Sequence, residues 1–140
     1  MPSMFHEKYG PVVALGPFFT ANLDTALTNT DLPFGQAGVT LMGMPYAGSV
    51  VGVSLDGNAA PSAGTVIASI HSAGTELVGG PTATIDSVTN TLTSTGLVST
   101  ARQHTFAAGA RLGISVTTTT TLAATTIEFN ATLYVRFNPD

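Results

Sequence analysis

Cysteine is absent from the 140 residues, and so is tryptophan. The first absence excludes disulfides, thiolate metal sites and cysteine nucleophiles together. Charge is scarce as well. Charged residues make up 9% of the chain, against about 25% in an ordinary soluble domain. Lys8, Arg102, Arg111 and Arg136 supply all the fixed positive charge of the side chains, and the net charge is −4. Four scattered cations cannot neutralise a phosphate backbone, so no nucleic-acid partner is expected. They make no basic amphipathic face for an anionic membrane. No apolar run reaches the roughly 20 residues of a transmembrane helix. The first nine residues carry no apolar stretch behind a basic region, so no secretory signal is expected either.

What is present is apolar and small. Hydrophobic residues make up 44% of the chain and the mean hydropathy is +0.34, the reverse of the disordered signature. The length suits one domain able to bury roughly two-thirds of its unfolded surface. With so few charges, the surface must be built of Thr, Ser, Asn and Gly. Such a surface opposes self-association weakly.

The apolar residues recur with a period of two. Ile127, Phe129, Ala131, Leu133, Val135 and Phe137 alternate with Glu128, Asn130, Thr132, Tyr134 and Arg136. Successive strand side chains point to opposite faces, so this run predicts a long strand in the middle of a sheet, one face apolar. The same rule predicts strands at residues 111–117, with Leu112, Ile114 and Val116 inward, and at 49–55, with Val51, Val53 and Leu55 inward. It predicts another at 65–71, with Val66, Ala68 and Ile70 inward. Shorter candidates are 39–44, 83–87 and 98–106. The threonines from Thr117 to Thr121 fit an exposed strand edge or its exit. Asp56-Gly57-Asn58, Pro61 to Gly64, Ser72 to Gly74, Gly79-Gly80-Pro81 and Ala107 to Gly109 supply the turns. Strands about ten residues apart predict an all-β, antiparallel sandwich or barrel. Helix is expected nowhere except for one or two turns at 22–28.

Residues 1–36 differ from the rest. Four of the seven phenylalanines lie there, with Tyr9 and the prolines Pro2, Pro11, Pro17 and Pro33. Two readings fit: an extended arm lying over its own domain or a neighbour, or a first strand with loops that close the sandwich. The domain proper is then 37–140.

Catalytic and metal chemistry is not expected. His6, His71 and His104 have no ligand spacing, and the two later histidines read as solvent-facing or interface residues. Asp56 and Asn58 offer oxygens to a calcium ion, although one carboxylate at a hairpin is ordinarily a turn former. Ser54 sits in Gly52-Val53-Ser54-Leu55-Asp56, which departs from the nucleophile elbow, so it reads as a strand's polar face. The acids are too dispersed for a carboxylate pair. Gly79-Gly80 feeds Pro81 rather than a phosphate-binding helix. No cofactor is expected. Asn130-Ala131-Thr132 is a formal glycosylation sequon inside the strongest strand. Met42, Met44 and Tyr46 share one face if their segment is extended.

Three stretches in order carry a family likeness. They are Pro45-Tyr46-Ala47-Gly48-Ser49-Val50-Val51-Gly52-Val53-Ser54 with Ala63-Gly64-Thr65-Val66, then Phe106-Ala107-Ala108-Gly109-Ala110-Arg111-Leu112-Gly113-Ile114-Ser115-Val116-Thr117-Thr118, then the closing run from Ala131 to Phe137. Residues 40–138 so resemble the TNF-like jelly-roll heads of phage head-decoration and fibre proteins and of collagen-like spore-surface proteins. The resemblance implies a jelly-roll sandwich that forms a homotrimer. A head with a short arm and no shaft is expected to be a capsid decoration, or cement, protein. It would be made in the host cytoplasm, sit on the outer surface of the virion and clamp neighbouring copies of the major capsid protein. On this reading Phe5, Tyr9, Phe18, Phe19 and Phe34 form the capsid-binding arm. Met42, Met44, Tyr46 and Tyr134 line the trimer interface. A receptor-binding fibre head is the alternative, and an enzyme is not expected.

Overall fold

The structure, a computed structural model, describes residues 11–20, 27–36, 38–73, 75–88, 93–98, 103–123 and 126–138. Phe5, Tyr9, His6, Lys8, Arg102 and most of the short helix expected at 22–28 lie outside them. The described residues form strands alone: β1 (Val12–Thr20), β2 (Thr30–Asp31), β3 (Met42–Gly43), β4 (Gly48–Gly57), β5 (Thr65–Ser72), β6 (Thr75–Glu76), β7 (Thr82–Asp86), β8 (Thr93–Leu97), β9 (Thr105–Phe106), β10 (Arg111–Thr118) and β11 (Phe129–Phe137).

They build two antiparallel, curled sheets packed as a sandwich. Sheet A runs β1-β11-β4-β8, with β9 also paired to β4. Sheet B runs β2-β10-β5-β6, with β3 also on β10 and β7 also on β5. The closing strand β11 lies between β1 and β4, as its length and alternation predicted. Its odd residues Phe129, Ala131, Leu133 and Val135 are buried with Ile127. Leu112, Ile114 and Val116 of β10 and Val66, Ala68 and Ile70 of β5 meet them from sheet B. Burying these faces against each other supplies the main driving force of the fold.

Strand β4 departs from simple alternation. Tyr134 faces Gly52 and Val135 faces Val50, so Val51 is an extra residue in the ladder. This β-bulge shifts the phase, and Val50, not Val51, enters the core beside Val53 and Leu55. A second irregularity falls at Gly16-Pro17 of β1, between Leu15 and Phe18. A proline that donates no ladder hydrogen bond belongs on an edge strand, and β1 is one.

Two expected strands need correction. The strand expected over 39–44 shrinks to Met42–Gly43, so the shared face of Met42, Met44 and Tyr46 does not form. Met44 enters the core, Met42 is half-buried and Tyr46 is 64% exposed. Within the strand expected over 98–106 the described residues form only β9, 99–102 lying outside them, and a separate strand, β8, ends before it. β8 reads Thr-Ser-Thr-Gly-Leu and buries none of its residues fully, so it has no apolar alternation to detect.

The sandwich is drawn together at both sides. Along one, Ser94 Oγ of β8 accepts from the Thr84 backbone N–H of β7 at 3.0 Å. Gly96 lets the two strands approach, because a Cβ there would meet the Thr82 carbonyl oxygen. Along the other, Phe19 N–H donates to the Pro33 carbonyl at 2.9 Å, and Phe18 packs edge-to-face on Phe34 with centroids 5.3 Å apart.

Candidate interaction surfaces

The outward residues of sheet A fall into cross-strand rows. Val12, Arg136, Ser49 and Thr105 form one; Ala14, Tyr134, Gly52 and Leu97 the next; Thr132, Ser54 and Thr95 a third; and Phe19, Asn130, Asp56 and Thr93 the last. Arg136 and Asp56 are the charged residues in these rows. Tyr134 occupies the middle, its hydroxyl 3.2 Å from Ser54 Oγ. Gly52 makes room for Leu97, whose Cδ2 would lie 2.8 Å from a Cβ at that position. Leu97 stays 66% exposed. Arg136 Nε is buried without a hydrogen-bond partner.

Sheet B presents a different outer face. Ser69, His71, Gly113 and Ser115 point outward, yet all four are buried. The chain itself covers them in part. A Cβ on Gly113 would run into the Thr40 carbonyl oxygen, and Leu41 lies beside it. Ser69 Oγ and Ser115 Oγ are 3.2 Å apart and share a hydrogen bond. His71 Nδ1 is 3.7 Å from Asp31 Oδ1. The expectation of a solvent-facing or interface His71 therefore fails, because the segment that follows β2 folds over this face. Sequence spacing held no sign of it: Asp31 and His71 meet only because β2 and β5 flank β10. Serine, histidine and aspartate share the face, but neither ring nitrogen of His71 has a hydrogen-bond partner. Among the described residues no hydroxyl shares a hydrogen bond with that imidazole.

Of the residues expected to bind a capsid, Phe5 and Tyr9 lie outside the described residues, and the other three differ in exposure. Phe18 is fully buried, Phe34 is half-buried against it, and Phe19 is 36% exposed on the sheet A side. The residues expected at a trimer interface also separate. Tyr134 lies on the open face of sheet A. Tyr46 lies at the end of the sandwich, 6.0 Å from the Phe137 ring, with Phe106 beyond it at 6.1 Å from Phe137.

At the opposite end Asp56, Gly57, Asn58, Glu128 and Asn130 line a cavity of about 300 Å³. Asn58 Oδ1 accepts from Glu128 N–H at 3.1 Å, so its oxygen serves the turn. Among the described residues no group of three or more His, Cys, Asp or Glu is placed to hold a metal ion. His104 Nε2 is 3.1 Å from the Gly79 carbonyl, a contact between neighbouring loops.

Compared with known proteins, the chain matches no protein-family model, no curated protein and no solved structure.

Proposed function

We propose that this chain is the subunit of a trimeric jelly-roll knob that decorates the outer surface of a phage head. The observation that carries the reading is the nested strand pairing. First pairs with last (β1 with β11), the next with the last but one (β2 and β3 with β10), then β4 with β8 and β9, and β5 with β7. A chain nested in this order onto two sheets supports a jelly-roll path.

Self-association is supported by the face of sheet A. It is broad, poor in charge and fringed by exposed Val12, Phe19 and Leu97. Burying it stabilises a complex by about 25 cal/mol per Å² of apolar area, less the ordering cost. Sedimentation of the full chain should give a trimer. Leu97→Asp should weaken association at least tenfold while leaving the far-ultraviolet circular dichroism unchanged; an unaltered trimer would remove this face from the interface.

Clamping of the capsid falls to the residues ahead of β1. Deleting 1–20 would remove β1 and take Phe18 out of the core, so it cannot test an arm. Deleting 1–10 is the informative change. The expected result is a folded trimer that no longer binds phage heads. A truncated protein that still decorates particles would end the clamp.

A receptor-binding fibre head is the second reading. The cavity of carboxylates and carboxamides around Asp56 and Asn130 favours it, because such groups suit a hydroxyl-rich ligand. Immunogold electron microscopy on phage particles separates the two. Label across the head supports decoration, label at tail tips or fibres supports receptor binding, and unlabelled particles overturn both.

A further inference from the structure

We infer that the open edge of β1 pairs with the same edge of a second copy, joining sheet A of two chains into one continuous sheet. This goes beyond the trimer proposed above, because it uses the rim of sheet A and not its face.

β1 ends sheet A, and its partner in the ladder is β11. Its far side differs along its length. At one end Phe19 N–H donates to the Pro33 carbonyl and Phe18 bridges to Phe34, so this part is covered. Val12 to Leu15 pair with Arg136 to Leu133, and among the described residues no strand lies on their other side. In an antiparallel ladder alternate residues aim their N–H and C=O groups away from the partner. Half of this run therefore presents a backbone donor and acceptor outward. The other rim of sheet A is not open in this way. β8 is tied to β7 by the Ser94 hydroxyl and by the close approach at Gly96.

Native edges are ordinarily guarded by charge, proline or a bulge. β1 has such guards only at the limits of the run, Pro11 before it and the Gly16-Pro17 irregularity after it. Between them stands Val-Val-Ala-Leu, apolar on both faces. Val13 and Leu15 pack on the core, while Val12 is 46% exposed and Ala14 is exposed. The guards also confine an added strand to this run, since a proline donates no ladder hydrogen bond.

Charge and symmetry argue for a second copy as the occupant. No charged residue or histidine occurs between Pro11 and Leu23 or between Leu32 and Leu55. β1 and the segment beside it thus carry no charge of their own, and Arg136 stands one strand inward, opposite Val12. Three of the seven exposed large hydrophobics among the described residues, Val12, Phe19 and Val39, belong to these two stretches. Val39 joins this side through its carbonyl, which accepts from Phe34 N–H. Such a side meets an identical one with no like-charge repulsion to overcome. Opposite residues of an antiparallel pair share a sheet face. A two-fold axis normal to the sheet, through Val13 or Ala14, therefore keeps the outer rows of both copies on one side and the two cores on the other. The contact is isologous and closes at two chains. Trimers held through the face of sheet A and joined at this edge would be hexamers.

Sedimentation equilibrium of the full chain should give a dimer or a hexamer. Val12→Lys combined with Ala14→Lys puts two cations on the edge of each copy. Both positions are exposed, so the far-ultraviolet circular dichroism should not change, while association at β1 weakens by about tenfold or more. The chain has no cysteine, so Ala14→Cys supplies a single thiol. A short bis-maleimide should link most of this variant into pairs and leave Thr121→Cys, on the exposed turn after β10, unlinked. If the lysine variant does not fold, the cross-link decides. Deleting 1–10 should leave the pairing intact, and its loss would give the edge to that segment instead and overturn the proposal. So would a monomer, a lysine variant that associates as before, or equal linking of the two thiols. A lone trimer would overturn the pairing and leave the trimer reading standing.

Discussion

The two sheets share one core and differ on their outer faces. Sheet A leaves Tyr134 and Thr132 half-exposed and Leu97 and Thr95 open to water. Sheet B buries Ser69, His71 and Ser115 under its own chain. Both faces are made of small polar residues set in alternation with the core. A polar face is thus compatible with water, with a neighbour or with a covering loop. What separates them among the described residues is the path from β2 to β3, which crosses the face of sheet B; on sheet A Ser49 and Ser54 are buried, while Tyr134, Thr132, Thr95 and Leu97 keep contact with water. A surface closed by its own chain needs internal hydrogen bonds, and Ser69 with Ser115 supplies one.

The comparison can be broken most severely where the sheets meet. Gly96→Ala places a methyl group against the Thr82 carbonyl. A loss of about 3 kcal/mol is expected, with both sheets unfolding in one transition when followed by circular dichroism in urea. Gly113→Ala acts on sheet B alone by pressing on the Thr40 carbonyl. The expected cost is about 2 kcal/mol, with hydrogen exchange rising first at Leu32 and Met44 and little changed at Leu133.

Smaller changes sharpen the contrast. Ser115→Ala strands the Ser69 hydroxyl in a buried site and should cost about 1.5 kcal/mol. Ser54→Ala on sheet A should cost about 0.5 kcal/mol, because the half-exposed Tyr134 hydroxyl can turn to water. Chemical denaturation of the two variants measures the difference, and equal losses would show that the two faces are equally closed. Thr121→Ala should fall within about 0.5 kcal/mol of the parent, since its exposed hydroxyl bonds only Thr119 among the described residues.

The threonine run shows how far local reading extends. Thr117 and Thr118 end β10, as an exit from a strand was expected to look. Their hydroxyls, and that of Thr119, also accept from the backbone of residues 27, 29 and 65. Nothing local announces those partners, which lie 54 to 91 residues away. β8 escaped notice for a related reason. An edge strand packed through Ser94 and Gly96 has no apolar alternation. The candidate surfaces were legible only residue by residue. Tyr134 stood out on a polar strand face, but Met42, Met44 and Tyr46 scattered once their strand proved to end at Gly43.

The amino-acid sequence by itself determined the all-β class, the inward faces of β5, β10 and β11, and the central place of β11. Period-two alternation is a local property, and a strand's two faces follow from backbone geometry alone. Tertiary structure decided the phase of β4, because the bulge at Val51 exists only in the ladder with β11. It decided that the 38–43 crossing lies over sheet B, because that path depends on contacts between residues distant in sequence. It also brought His71 to Asp31, since two side chains 40 positions apart meet only after β10 has been laid between their strands.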